Sequence, residues 1–113
     1  MASANYTDLL NKALADIGDA VAVADVTGEF YSGHALRQRI EGIASLLRAS
    51  GLERGDGLAQ LASNCVDAFA VMAACLRAGV RYTPLHPLGS LDQQRFVVND
   101  SQAKLLVIDS AAF

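Results

Sequence analysis

Apolar and polar positions follow two different periods along this chain, and together they predict helices and strands in a regular order. The stretch from Leu58 to Leu85 shows this best, because a largely apolar run over Cys65–Ala78 lies between two shorter apolar runs. The middle run has the length of a helix and ends at Gly79, a residue that accepts the left-handed conformation at a helix C-terminus. We therefore expect strand, helix, strand, a unit that favours parallel pairing through a right-handed crossover.

The segment before this unit predicts a helix and a hairpin. Apolar residues recur at helical spacing in a segment that starts at Thr7 or Asp8 and stops at Gly18. Two short apolar runs follow, Val21–Ala24 and Thr27–Tyr31, and turn residues lie between them. We interpret these two runs as paired strands.

Helix start signals place two further helices. Ser32 is positioned to cap a helix over Gly33–Ala49. Ser90 and Gln93 have the spacing of a capping box, which opens a helix that runs to about Asp100. The core-facing stripe of the longer helix is predicted to comprise Leu36, Ile40, Ile43 and Leu47.

The last apolar run, within Lys104–Asp109, has the composition of a strand that is buried on both faces. The whole order of elements predicts an α/β fold, with a mostly parallel sheet and helices on both faces. Ligands of such sheets gather beyond the carboxyl ends of the strands. Those ends carry Ser63 and Asn64 after one strand, and His86 and Pro87 after the next.

Composition narrows the class of protein. The 113 residues are 52% hydrophobic, enough for a well-packed domain or for a piece whose apolar faces meet the rest of a larger protein. A net charge of −3 argues against nucleic acid or an anionic membrane as partner. The longest unbroken apolar run, Ala68–Leu76, is far shorter than a membrane span. The residues Met1–Leu10 lack the features of a secretory signal, so we expect a cytoplasmic protein.

Most residues that could be taken as parts of a binding or active site have a simpler structural interpretation. The glycines at 51, 55 and 57 precede a strand, whereas a phosphate-binding loop follows a strand and opens a helix. Asp25 and Asp109 each end a strand, but Lys104 falls at the wrong end of its strand for a receiver-like acidic pocket. Neither observation predicts an active site.

Two residues at the strand ends keep two interpretations each. Asn64 caps the following helix or faces a ligand, and the two roles are compatible. His86 is a solvated loop residue or the wall of a cleft. Neither His86 nor His34 has a Cys, Asp or Glu at the spacing of a metal ligand, which argues against a metal site.

The two cysteines, Cys65 and Cys75, are ten residues apart on one predicted helix. Such a spacing separates them by about 15 Å, too far for a disulfide. We expect Cys75 to be a buried thiol. Cys65, at the helix N-terminus, is either buried or has a lowered thiol pKa.

Several segments resemble the adenylate-forming ligases, the superfamily of acyl-CoA synthetases, luciferases and peptide-synthetase adenylation domains. Leu76–Leu85 is similar to the family's Leu-Lys-Ala-Gly-x-x-Tyr-Val-Pro-Leu/Ile segment, and Gly55–Asn64 to its Gly-Asp-x-Val-Ala-x-x-x-x-Asn segment. Phe30–Leu36 is a looser match to its Thr-Tyr-x-Glu-Leu segment. Leu91–Val107 resembles the helix and strand that follow. The segment His86–Asp92 looks more like that of bacterial acyl-CoA ligases than that of peptide-synthetase domains.

The resemblance implies an N-terminal fragment of a larger AMP-binding ligase domain, in which residues 1–113 form a single α/β piece. Such ligases activate a carboxylic acid with ATP and Mg²⁺, and acyl-CoA synthetases then transfer the acyl group to CoA. The family's catalytic parts lie downstream of the matched segments. We therefore assign no catalytic, cofactor-binding or metal residue within 1–113, and we expect the fragment to be inactive alone.

The resemblance also sets the expected partners. They are the remainder of the ligase chain and, for the full protein, a fatty or other carboxylic acid. The apolar surface that a fragment leaves open predicts self-association. The alternative function is a free-standing, non-catalytic α/β module that binds a protein partner.

Overall fold

The structure is a computed structural model, and it describes residues 6–24, 30–62 and 65–108. The described elements, in chain order, are α1 (Tyr6–Ile17), β1 (Val21–Ala24), β2 (Phe30–Ser32), α2 (Gly33–Ala49), β3 (Gly57–Leu61), α3 (Val66–Ala78), β4 (Arg81–Leu85), α4 (Leu91–Asp100) and β5 (Ala103–Ile108). The predicted order of helices and strands is confirmed. Asp25 and Asp109 lie outside the described residues.

The strands form two sheets. β3 lies between β4 and β5 and is parallel to both, so the sheet order is β4-β3-β5. β1 and β2 pair antiparallel, as predicted, but they make a separate two-stranded sheet. The parallel sheet confirms the α/β prediction.

Helices cover both faces of the parallel sheet. Successive side chains of a strand point to opposite faces, so β3 contributes to a separate apolar cluster on each face. Leu58 belongs to the larger apolar cluster, which packs against α2 and α3. Its neighbours Ala59 and Leu61 belong to a second cluster, which includes Val97 and Val98 of α4. The α4 side has the smaller core.

Local sequence signals explain where the helices begin and end. The Ser32 hydroxyl accepts a hydrogen bond from the Ala35 N–H at 3.0 Å, so the predicted cap of α2 is confirmed. Ser90 and Gln93 form the predicted capping box of α4. Gly79 closes α3 in the left-handed conformation, with φ of 76°. Each device satisfies backbone groups that a helix end leaves unpaired.

The start of α3 differs from the prediction. Its cap is Cys65, one residue after Asn64, and the Cys65 sulfur accepts a hydrogen bond from the Ala68 N–H at 3.4 Å. A cap needs an extended backbone and a side-chain acceptor near the third helical N–H. Cys65 has both, with φ of −152° and ψ of 168°. Asn64 itself lies outside the described residues.

The burial of β5 also differs from the prediction. We expected a strand buried on both faces, but its side chains alternate between half-buried and exposed. Leu106 is 43% exposed and Ile108 42% exposed. The reason is position, because β5 is at an edge of the described sheet. Within the described part of the chain, no helix has the length and hydrophobicity needed to cross a membrane.

Candidate functional site

A cavity of about 490 Å³ opens at the carboxyl ends of β3 and β4. It is at the edge of the sheet where the sequence predicted ligands to gather. Its walls are mostly apolar, and its polar groups come from one amide, one phenol and one imidazole. The described lining comprises Gln60, Ala62, Tyr82, Pro84, Leu85, His86, Pro87 and Leu88.

A buried hydrogen bond forms the floor of this cavity. Gln60 is only 5% exposed, and the Tyr82 hydroxyl donates a hydrogen bond to its Oε1 at 2.8 Å. Burial, and secondarily the nearby Cys75, raises the pKa of Tyr82 above its usual value. Tyr82 is therefore a neutral donor at physiological pH, and the pair fixes the Gln60 amide between adjacent strands.

His86 lies at the rim, in the turn after β4. Its Nδ1 accepts a hydrogen bond from the Leu88 N–H at 3.1 Å, and its carbonyl accepts hydrogen bonds from Gly89 N and Gln94 Nε2, both at 3.0 Å. The structure thus places His86 in a cleft wall and in contact with solvent at the same time. A neutral imidazole held this way carries its proton on Nε2, pointing away from the turn.

A second cavity, of about 340 Å³, lies beside the first one, between the start of α3 and the carboxyl ends of β3 and β5. Gln60 and Ala62 line both cavities. From β3 the chain passes through α3 to β4, on one side of β3, and then through α4 to β5, on the other side of β3. The crevice between β3 and β5 is therefore the topological switch point of the sheet. Asp67, at its rim, pairs with Arg39 of α2.

The two cysteines have different environments. Cys75 is fully buried, and burial raises the pKa of its thiol to about 11. The predicted burial of Cys75 is confirmed, and the raised pKa keeps its thiol protonated at physiological pH. Cys65 is half-buried and uses its sulfur as the cap of α3.

A cluster of charged groups lies at the opposite end of the sheet, where the parallel strands begin. Lys104 pairs with Asp56 at 3.1 Å, and the Arg81 guanidinium donates to the carbonyls of Gly55 and Ser101 at 2.8 and 3.1 Å. The hydrogen bond from the Glu53 N–H, followed by Lys104, lowers the pKa of Asp56. These contacts hold the loop that contains Gly51 and Gly55 against the start of β3, and the loop therefore lies away from the cavities.

The contact between His34 and Asp19 was not foreseen from the sequence. The Nδ1 of His34 lies 3.1 Å from a carboxylate oxygen of Asp19, on the exposed surface. The two residues are fifteen positions apart, and only the packing of α1 against α2 brings them together. Among the residues that the structure describes, no three His, Cys, Asp or Glu side chains form a group suited to a metal ion.

The larger cavity is suited to a neutral or apolar group. Its described lining contains no lysine, arginine or carboxylate. A nucleotide triphosphate with Mg²⁺ needs cationic side chains and carboxylate oxygens. These residues do not fit ATP–Mg²⁺, and we derive no phosphoryl chemistry from them.

Comparison with known proteins identifies the family. Residues 10–112 match the AMP-binding enzyme family. The probable CoA ligase CCL9 of Humulus lupulus is 35% identical over 102 residues, which is 89% of this chain and 19% of that protein. The L-proline--[L-prolyl-carrier protein] ligase of Pseudomonas fluorescens is 38% identical over 80 residues, which is 71% of this chain and 16% of that protein.

The fold agrees with these sequence matches. The R395G form of coronafacic acid ligase from Pectobacterium brasiliense superposes with a TM-score of 0.91 at 23% identity, over 96% of this chain and 22% of that one. The chain thus spans less than a fifth of the two curated relatives above. By its match over residues 10–112, this chain belongs to the AMP-binding family of adenylate-forming enzymes.

Proposed function

We propose that this chain is the N-terminal part of an ATP-dependent acyl-CoA synthetase, which adenylates a carboxylic acid and then forms its thioester with CoA. The observation that carries the proposal is the 35% identity to a probable CoA ligase along 89% of the chain. The order of motifs from Phe30 to Val107 supports the same assignment.

Residues 1–113 supply scaffold to this reaction and do not catalyse it. Adenylation requires cations that stabilise charge on the transferring phosphates. The only lysines are Lys12 and Lys104, and Lys104 lies at the amino-terminal edge of the sheet, paired with Asp56. The catalytic cations and the sites for Mg²⁺, ATP and CoA therefore belong to the remainder of the ligase. The proposal places the protein in the cytoplasm.

The first experiment is to read the coding sequence beyond Phe113 and to assay the encoded protein. We expect pyrophosphate exchange that depends on ATP and a carboxylic acid, and a CoA thioester when CoA is added. Adenylation without transfer to CoA, but with transfer to a carrier protein, would place the protein with the prolyl ligase instead. A stop codon directly after Phe113 would defeat the proposal.

A binding measurement on the 113-residue chain tests where the nucleotide site lies. We expect calorimetry to detect negligible heat with ATP and Mg²⁺, because the described linings of the two cavities at the carboxyl ends of the strands contain no lysine or arginine for the phosphates. Affinity in the micromolar range would contradict this account of the site.

A further inference from the structure

The crevice between β3 and β5, the cavity of about 340 Å³ beside the start of α3, has both apolar and polar lining residues. Val71 of α3 and Val107 of β5 supply apolar surface. Gln60, Cys65 and Asp67 supply polar atoms. Mostly apolar cavities of this size with a few polar groups are typical of sites that bind small molecules.

The side-chain amide of Gln60 is oriented by Tyr82. The Tyr82 hydroxyl donates to Oε1 at 2.8 Å, and its raised pKa keeps it protonated, so it remains a donor at physiological pH. An amide that accepts through its oxygen still has two N–H donors on Nε2. Tyr82 borders the larger cavity and is not among the described residues that line the crevice. The amide therefore turns Nε2 away from Tyr82, on the crevice side of Gln60.

The Nε2 group of Gln60 has no hydrogen-bond partner among the residues that the structure describes. In that part of the chain, every side-chain nitrogen or oxygen that is fully shielded from solvent does have a partner. Nε2 is therefore reached from open space, and Gln60, only 5% exposed, borders such space in the crevice. A donor held in so buried a side chain lowers the free energy of the complex when a ligand accepts from it.

The charges around the crevice favour an uncharged ligand. Its described lining contains one carboxylate, Asp67, and neither lysine nor arginine. An anion would be repelled by Asp67, whereas a cation is not needed there because Asp67 already pairs with Arg39. A carbonyl oxygen accepts from Nε2 without bringing a charge into the crevice.

We propose that the crevice binds a small uncharged carbonyl compound, whose oxygen accepts a hydrogen bond from Gln60 Nε2 and whose apolar part contacts Val71 and Val107. The inference goes beyond the proposed function, because it concerns a site formed by described residues of this chain and requires no adenylation.

The two cysteines provide a readout of occupancy. Cys65 borders the crevice and is half-buried, whereas Cys75 is fully buried. Iodoacetamide at low concentration should alkylate Cys65 of the 113-residue chain and leave Cys75 unmodified, and peptide mass spectrometry measures both rates. A ligand in the crevice should protect Cys65. If Cys65 of the folded chain does not react, the crevice is closed and the proposal fails.

A set of matched probes tests the chemical class. The probe N,N-dimethylbutanamide has a carbonyl acceptor and no N–H, N,N-dimethylbutylammonium has the same skeleton with a methylene in place of the carbonyl, and butanoate carries a carboxylate. At about ten times its Kd, the amide should slow alkylation of Cys65 about tenfold by mass action, and the two ions should leave the rate close to its original value. Absence of protection by the amide, or equal protection by either ion, would overturn the proposal.

Substitution of Gln60 tests the donor. Gln60→Glu replaces Nε2 by a carboxylate oxygen that cannot donate at neutral pH, and Gln38→Glu makes the same change at an exposed position of α2. We expect Gln60→Glu to weaken protection by the amide about tenfold in Kd and Gln38→Glu to match wild type. Because a buried carboxylate can unfold the chain, Gln60→Met removes the donor without adding a charge and should weaken protection similarly. Unchanged protection in a folded Gln60 variant would show that the amide binds without this donor, and the proposal would be wrong.

Discussion

The junction between α1 and α2 depends on a glycine, and Gly33→Ala tests why. A Cβ added at Gly33 would lie 2.3 Å from the carbonyl oxygen of Leu14 and 3.0 Å from the backbone nitrogen of Gly18. Both are backbone atoms, joined to each other by a hydrogen bond of 3.0 Å from Gly18 N to Leu14 O. Two more hydrogen bonds hold the start of α2 against them, from Gly33 N to Ala20 O at 3.2 Å and from His34 N to Gly18 O at 3.0 Å. They cannot move aside as a flexible side chain would.

Two opposing effects set the change in the free energy of unfolding that Gly33→Ala should cause. Alanine is favoured over glycine within a helix by about 0.5–1 kcal/mol. Overpacking against a fixed neighbour costs about 1–3 kcal/mol, and distorting the two hydrogen bonds adds about 1 kcal/mol. The clash prevails, so we expect Gly33→Ala to lower the free energy of unfolding by about 2 kcal/mol and the melting temperature by about 8 °C.

The same helix provides the matched control. Gly42 is exposed, and an added Cβ meets nothing within 4 Å among the described residues, so Gly42→Ala should gain the helix propensity alone. Urea unfolding followed by circular dichroism, at concentrations where the chain is monomeric, measures both variants. If Gly33→Ala proves as stable as Gly42→Ala, the close approach of α1 to α2 is not a constraint on this fold and the reasoning is refuted.

Three further predictions concern buried and paired groups. Tyr82→Phe leaves the Gln60 oxygen without its donor and should cost about 1–3 kcal/mol, and a double-mutant cycle with Gln60→Leu should recover part of that loss; additive effects would contradict the pairing. Burial raises the Cys75 pKa from 9.0 to about 11, so the unfolded state loses this proton first and the free energy of unfolding should fall as the pH rises from 9.0 to about 11. Urea midpoints across that range measure the slope, and Cys75→Ala should reduce it. The lowered pKa of Asp56 contributes stability above its ordinary value of 3.8, so Asp56→Asn should be destabilising at neutral pH and should match wild type at pH values below the lowered pKa.

Much of the fold could be predicted from the sequence because its signals act over a few residues. The Ser32 cap, the capping box of Ser90 and Gln93 and the left-handed Gly79 each satisfy nearby backbone groups, so their positions are written in the local order of residues. The cap of α3 was wrong by one residue. A thiol is a weaker acceptor than an amide oxygen, and the chain path, not acceptor strength, put Cys65 at the cap position.

The candidate site could be predicted only as a location. Parallel strands and their order along the chain placed the carboxyl ends near His86, because topology follows from alternating strands and helices. The Gln60–Tyr82 hydrogen bond was not foreseen, since it joins residues 22 positions apart and depends on the register of β3 against β4. The His34–Asp19 contact was missed for the same reason.

The sequence by itself determined the elements, most of their ends, the α/β class and the family resemblance, because periodicity, capping and motif order are properties of neighbouring residues. Only the tertiary structure decided that, among the residues it describes, β5 is an edge strand, the hairpin is separate from the parallel sheet, and the lining of the larger cavity is uncharged. Apolar composition tells how much burial a strand requires. Which surface supplies that burial depends on strands and helices that lie far apart in the sequence.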